Sequence, residues 1–130
     1  MIDDDPLARK LVSLILHRAG YEVALAADAF EAERELTPSP PDLILMDLNL
    51  PGKDGCTFTQ ELRHRSETAD IPIVAVTAFT VGWDEKAARK AGCNDYLPKP
   101  INDAILGRTL RLWLTASPSK GTTGSPGPRT

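Results

Sequence analysis

Acidic side chains stand at two points of this 130-residue chain where the apolar pattern predicts the end of a buried strand. Asp3 and Asp4 come almost at the start of the chain, and Asp47 closes the apolar run 43–46. Carboxylates that lie close together raise one another's pKa, and a divalent cation relieves the repulsion between them. Because no His or Cys stands beside them, oxygen-only ligands favour Mg²⁺ or a similar hard ion over zinc. The acids therefore predict a magnesium site wherever folding brings them together.

Two further polar residues stand at predicted strand ends. Thr77 closes the apolar run 73–76, and Lys99 follows a short strand that contains Tyr96. A lysine ammonium can neutralise one phosphoryl oxygen, and a hydroxyl can donate a hydrogen bond to another. A metal-held carboxylate with these two groups around it is equipped to accept a phosphoryl group, so Asp47 is the candidate nucleophile.

The elements that must position these residues alternate between helical and strand periodicity. In chain order, the pattern first predicts a helix from Asp5-Pro6 to Gly20, a strand at 21–25, a helix from Asp28 to about Thr37 and a strand at 43–47. It then predicts a helix from about Asp54 to His64, a strand at 71–78 and a helix at 84–92. The last two predicted elements are a strand around Tyr96 and a helix from Asn102 to Leu114.

Helices and strands that alternate in this way form βα units and a parallel sheet with helices on both faces. The near-continuous apolar runs at 43–46 and 71–76 are typical of strands that are covered on both sides. Ligands bind such sheets beyond the carboxyl ends of the strands. The sequence therefore predicts an α/β fold in which the polar residues named above meet at one edge.

Composition and charge limit the class of protein. The net charge of −3 gives no indication of a nucleic-acid or anionic-membrane surface, and no apolar run is long enough to span a bilayer. Cys56 and Cys93, like His17 and His64, lack the clustered spacing of metal ligands, so we predict packing or solvent-facing roles for all four. A cytoplasmic protein is expected from these features.

One domain accounts for most of the chain. The predicted helices and strands occupy residues 1–114, which is enough for one hydrophobic core. Residues 115–130 are rich in Ser, Gly, Pro and Thr and cannot bury apolar area, so we predict a disordered tail or linker there.

In the order and spacing of its motifs, the chain resembles the receiver domain of two-component response regulators over about residues 2–114. The motifs are Asp3-Asp4 followed by Asp5-Pro6, Asp47 with Asn49, Pro51 and Gly55, Val76-Thr77-Ala78, and Tyr96 with Lys99-Pro100. The resemblance implies a doubly wound, flavodoxin-like sheet of five parallel strands in the order 2-1-3-4-5.

The resemblance also implies a phosphorelay chemistry. Asp47 would take a phosphoryl group from a phosphohistidine on a sensor histidine kinase or a histidine phosphotransfer protein. Asp4, Asp47 and the backbone carbonyl of Asn49 would bind Mg²⁺, with Asp3 acting mainly through a water on the metal. The Lys99-Pro100 peptide bond would be cis, as in the family.

A switch would follow phosphorylation. Thr77 would be drawn toward the new phosphoryl group, and Tyr96 would rotate into the space that it vacates. This would change a surface formed by a helix from about Trp83 to Ala91, the Tyr96 strand and the last helix. The expected partner is a downstream protein target rather than DNA, and a phosphorylation-dependent dimer is left open.

The first strand departs from the family pattern because only Met1 and Ile2 precede the acids. A truncated strand inside the sheet would cost several kcal/mol, at ~1.5–3 kcal/mol for each missing large apolar side chain. A mis-assigned start, a boundary imposed on the sequence and a truly truncated, weakened domain are the three alternatives.

Two other functions remain alternatives. One is a degenerate receiver that binds its partner without phosphate. The other is a metal-dependent phosphohydrolase with an aspartyl nucleophile, for which Asn49 stands where a second acid would be needed. We expect no enzyme activity beyond the chain's own aspartyl phosphorylation and dephosphorylation.

Overall fold

A computed structural model describes residues 1–36, 40–77 and 85–115 of the chain, with the side chains of Glu85 and Thr115 left out. The predicted helix end near Thr37, the predicted helix start near Trp83 and the tail at 116–130 lie outside the described residues.

Helices and strands alternate along the described residues. They are α1 (Pro6–Arg18), α2 (Ala29–Leu36), β1 (Ile44–Asp47), α3 (Gly55–Arg63), β2 (Ile73–Thr77), α4 (Glu85–Ala91), β3 (Asp95–Pro98) and α5 (Asp103–Thr115). None of the described helices has the length and hydropathy needed to cross a bilayer.

Three parallel strands form the regular part of the sheet. Their order is β1-β2-β3, with Asp47 opposite Val76 and Thr77 opposite Pro98. This register places the carboxyl ends of all three strands at the same edge. The predicted α/β fold with a parallel sheet is confirmed.

Two short segments extend this sheet beyond β1. Ile2 forms parallel bridges with Ala26 on one side and Met46 on the other. The Asp47 N–H donates to the Ile2 carbonyl at 2.8 Å, and the Asp3 N–H donates to the Ala26 carbonyl at 3.0 Å. Counted with these segments, the spatial order is 2-1-3-4-5, as predicted.

The first strand is short, as predicted, and the regular part of the sheet is smaller than five strands. Among the described residues only three segments are regular strands, and residues 1–3 and 24–26 make isolated bridges. The short strand predicted at 21–25 is not a regular strand, and the bridge described beside it joins Ala26 to Ile2.

Helices cover both faces because alternate strand residues point to opposite sides. Ile44 and Met46 belong to a core cluster that includes Phe58 of α3. Ala29 and Ala32 of α2 and Ala88 of α4 lie in that same cluster. Leu45 and Val76 belong to a second cluster, with Leu16 of α1 and Leu106 and Leu110 of α5. The sheet therefore separates α2, α3 and α4 from α1 and α5.

Arg63 ties together two loops that precede strands, and sequence patterns gave no indication of it. Its guanidinium donates six hydrogen bonds, and the acceptors are the carbonyls of Thr68, Ala69, Ile71 and Gly92 and the side-chain oxygen of Asn94. Burial lowers the pKa of Arg63, partly opposed by Cys93 and Asp70. These contacts hold the starts of β2 and β3 against the end of α3.

The positions of the cysteines and histidines agree with the packing and solvent-facing roles predicted for them. Cys93 is buried and Cys56 is half-buried, both against the core cluster on the α3 side, and neither is in a disulfide. His17 and His64 are exposed.

Candidate functional site

Three carboxylates meet where residues 1–3 lie beside β1. Asp3 is fully buried, Asp47 is 3% exposed, and Asp4 is exposed to solvent. One oxygen from each lies within 4.8 Å of the others. The bridges made by Ile2 bring these acids together, because they align the chain start with the carboxyl end of β1.

Asp47 occupies an environment that disfavours its charged form. Burial is the main cause that raises its pKa, and the neighbouring Asp3 adds to the effect. The Asn49 N–H, which donates to Asp47 Oδ1 at 3.0 Å, and the Lys99 ammonium oppose it. Any positive charge added beside Asp47 therefore stabilises its charged form.

Lys99 provides the positive charge that the structure shows at this site. Its Nζ lies 2.8 Å from Asp3 Oδ2 and donates to Asp47 Oδ2 at 3.3 Å. Burial by itself would lower the pKa of Lys99, but the contacts with Asp3 and Asp47 outweigh it and the pKa is raised. The Lys99 N–H donates to the Thr77 carbonyl at 2.9 Å, and the Lys99-Pro100 peptide bond is cis.

The donor set fits a hard divalent cation. Asp3 Oδ2 is buried and has no well-directed hydrogen bond from any described residue, although the Lys99 ammonium is close. Among the described residues, Lys99 is the lysine whose ammonium contacts these carboxylates, and negative charge remains in excess over its single positive charge. Carboxylate oxygens in partly buried surroundings are the ligands that Mg²⁺ takes, and Asp4 opens the cluster to solvent for the waters that Mg²⁺ keeps.

Gly55 lets the loop after β1 return against Asp47. A Cβ at position 55 would lie 2.5 Å from the Asp47 carbonyl oxygen and 2.7 Å from Leu48 Cα, and both contacts are with backbone. The Gly55 N–H donates to the Leu48 carbonyl at 3.1 Å. Only glycine fits this approach, which holds the Asp47 backbone between α3 and the sheet.

The other two predicted residues occupy neighbouring strands. Thr77 is buried at the carboxyl end of β2, at the same edge as Asp47. Tyr96 lies opposite Ala75 in the register and is half-buried against the core cluster that contains Ala88 of α4.

Arg9 is a residue of the site that pattern reasoning missed. Its Nη1 donates to the Asp3 carbonyl at 2.7 Å. The signal that was available is an arginine in the first turns of the helix that directly follows the acids, close enough to reach back to them.

Comparisons with known proteins show the family to which this chain belongs. The family model for the response regulator receiver domain matches residues 1–111. The chain therefore belongs to the response regulator receiver domain family.

Similar proteins differ in length. The chain is 41% identical over 113 residues to the DNA-binding dual master transcriptional regulator RpaA of Synechocystis sp., matching 86% of this chain and 47% of that protein. It is 35% identical to the polar-differentiation response regulator DivK of Brucella anthropi, matching 88% and 93%. It thus spans about half of one relative and nearly all of the other.

Solved structures agree with the fold. The receiver domain of sensor histidine kinase PA1611 from Pseudomonas aeruginosa PAO1, with a magnesium ion coordinated in its active-site cleft, is 37% identical with a TM-score of 0.80, over 88% of this chain and 93% of that one. The chemotaxis protein CheY4 of Vibrio cholerae is 34% identical with a TM-score of 0.81, over 87% and 94%.

Proposed function

We propose that this chain accepts a phosphoryl group on Asp47 from a phosphohistidine and thereby switches a protein-interaction surface. The donor is a sensor histidine kinase or a histidine phosphotransfer protein, and the process takes place in the cytoplasm. The observation that carries the proposal is the meeting of three carboxylates within 4.8 Å, with Lys99 Nζ 3.3 Å from Asp47.

The chain's own residues divide the work of the transfer. A carboxylate oxygen of Asp47 attacks phosphorus, the phosphorus–nitrogen bond breaks, and the electron pair stays on the donor imidazole. Lys99 neutralises charge on a transferring oxygen, and the Thr77 hydroxyl donates to another. Asp4, Asp47 and the Asn49 carbonyl would hold Mg²⁺, with Asp3 acting through a water. When bound, the ion offsets the charge that builds up during transfer.

The donor has a surface on which to dock beside the acceptor. A groove of about 430 Å³ runs between α1 and residues 99–101, and Leu7 and Leu11 line it at 77% and 44% exposure. Lys99 lines the same groove, so a helix seated there would bring its phosphohistidine to Asp47. We assign this groove to the phosphohistidine-bearing helix of the donor.

The output is proposed to be a protein contact rather than a DNA contact. α4, β3 and α5 form adjacent parts of the chain around Tyr96, and Trp113 Nε1 of α5 donates to Asp95 Oδ2 of β3 at 2.9 Å. Movement of Thr77 toward a phosphoryl group would let Tyr96 rotate and alter this surface. Its target is a downstream protein, and a second copy of the chain is the alternative target.

Incubation with acetyl phosphate and Mg²⁺ tests the proposal. We expect an acid-stable, base-labile phosphate that Asp47→Asn abolishes, lost slowly in the absence of donor. Rapid multiple turnover would indicate a phosphohydrolase instead. Absence of both phosphate and any beryllofluoride-induced change in the Tyr96 NMR signals would indicate a degenerate receiver.

The donor groove has a separate test. Leu7→Ser should slow transfer from a phosphohistidine donor and leave transfer from acetyl phosphate unchanged. Leu112→Ser, at another exposed leucine that lies on α5 (59% exposed, against 77% for Leu7), is the control and should alter neither rate. Equal slowing by the two variants would refute docking at this groove.

A further inference from the structure

The acids at the chain start lie on a short turn that needs a support. Residues 1–3 bond to the sheet directly before the chain turns into α1. Asp3 Oδ1 accepts from the Asp5 N–H at 2.9 Å, and Asp5 Oδ1 accepts from the Leu7 N–H at 3.0 Å as the N-cap of α1. These local bonds shape the turn, but both acceptors lie within it.

Arg9 adds a contact from the helix back to the turn. Its Nη1 donates to the Asp3 carbonyl at 2.7 Å, and its backbone N–H donates to the Asp5 carbonyl at 3.1 Å. The Asp3 carbonyl belongs to the peptide that joins Asp3 to Asp4. A guanidinium held on that oxygen fixes the plane of the peptide and, with it, the direction in which Asp4 leaves the chain.

We propose that Arg9 is a positioning residue, which holds the Asp3–Asp4 peptide so that the two carboxylates face Asp47 in the geometry that a divalent cation requires. The inference rests on the proposed function, because it assumes that Mg²⁺ binds these acids. Mg²⁺ tolerates little departure from octahedral geometry, so a loosened Asp4 weakens binding even though its charge is unchanged.

The charge of Arg9 and its positioning role predict opposite changes in Mg²⁺ affinity when Arg9 is replaced. A positive charge close to the acids repels a cation, so its removal alone would strengthen Mg²⁺ binding. Loss of the bond to Asp3 would weaken it instead, and groups that orient metal ligands typically change affinity by about 10–100-fold. The sign of the change therefore decides between the two roles.

The test measures Mg²⁺ affinity of the full chain by titration followed by NMR, without any phosphodonor. Arg9→Met should bind Mg²⁺ about tenfold more weakly than the unaltered chain. Arg9→Lys keeps the charge on a side chain with one flexible ammonium and should fall between the two. Lys10→Met removes one positive charge from the next, exposed residue of α1 and should leave the affinity unchanged or slightly stronger.

Each outcome bears on the inference. Tighter or equal binding by Arg9→Met would overturn it, as would equal weakening by Arg9→Met and Lys10→Met. If the unaltered chain itself fails to bind Mg²⁺, the proposed function fails along with the inference. Should Arg9→Met not fold, Arg9→Lys decides, and unaltered affinity in that variant refutes the positioning role.

Discussion

Lys99→Met offers a sharp test of how the site balances its charges. Lys99 Nζ lies 2.8 Å from a carboxylate oxygen of fully buried Asp3 and 3.3 Å from one of Asp47. At an effective dielectric constant of about 20, each pair attracts by roughly 5–6 kcal/mol, and desolvation of the lysine offsets much of this sum. Removal of one partner from a buried ion pair typically costs about 3–5 kcal/mol. Because the Lys99 side chain keeps 22% exposure, we expect the lower end, a loss of about 3 kcal/mol in the free energy of unfolding.

Magnesium should narrow the difference in stability between the variant and the unaltered chain. Lys99 competes with a cation for the same oxygens, so its removal should tighten Mg²⁺ binding. At ten times the dissociation constant of the unaltered chain, bound Mg²⁺ stabilises that chain by about 1.4 kcal/mol, and a variant that binds tenfold tighter gains about 2.7 kcal/mol.

Urea unfolding at neutral pH, followed by circular dichroism, measures the loss of stability in EDTA and the stabilisation by Mg²⁺. Lys10→Met controls for loss of a surface charge and should be within about 0.5 kcal/mol of the unaltered chain in both conditions. The reasoning is refuted if Lys99→Met is as stable as the unaltered chain in EDTA, or if Mg²⁺ stabilises the two proteins equally.

Three further predictions follow from the fold and the site. Gly55→Ala should lower the free energy of unfolding in urea by about 1–3 kcal/mol because its Cβ meets backbone atoms. The Cβ of Gly107→Ala meets only the end of a flexible side chain at 3.5 Å, so this variant should be more stable by about 0.5–1 kcal/mol. The reverse order would contradict the packing of the β1 end. Arg63→Met should cost about 3 kcal/mol because it leaves partly buried carbonyls without the donors of the guanidinium. A loss below about 1 kcal/mol would show that water replaces the guanidinium. Burial raises the pKa of Asp47 in the folded state, so the unfolded chain releases this proton at a lower pH than the folded chain does. Without Mg²⁺, the free energy of unfolding should therefore fall as pH rises from about 4 through the folded pKa. Asp47→Asn should flatten that slope, and identical slopes for the two proteins would contradict the reasoning.

Local sequence patterns predicted most of the elements, because periodicity and capping act over a few residues. Asp5 caps α1, and the Asp28–Glu31 capping box begins α2: the Glu31 N–H donates to Asp28 Oδ1 at 2.8 Å, and Glu31 Oε1 accepts from the Ala27 N–H at 2.8 Å. The strand predicted at 21–25 is not a regular strand, because a strand needs pairing along its length and the bridge described beside it joins only Ala26 to Ile2. Pattern alone does not contain that long-range term.

The amino-acid sequence by itself determined the α/β class, the two-faced core and the placement of Asp3, Asp47, Thr77 and Lys99 at strand ends. These follow from the repeat of apolar residues and from the rule that parallel strands end at a common edge. Only the tertiary structure decided the charge balance within the site. The contact of Lys99 with Asp47 spans 52 positions, and the buried Asp3 oxygen and the reach of Arg9 depend on how α1, the chain start and the sheet pack together. Such contacts depend on burial and on distances between segments far apart in the chain, which residue spacing does not encode.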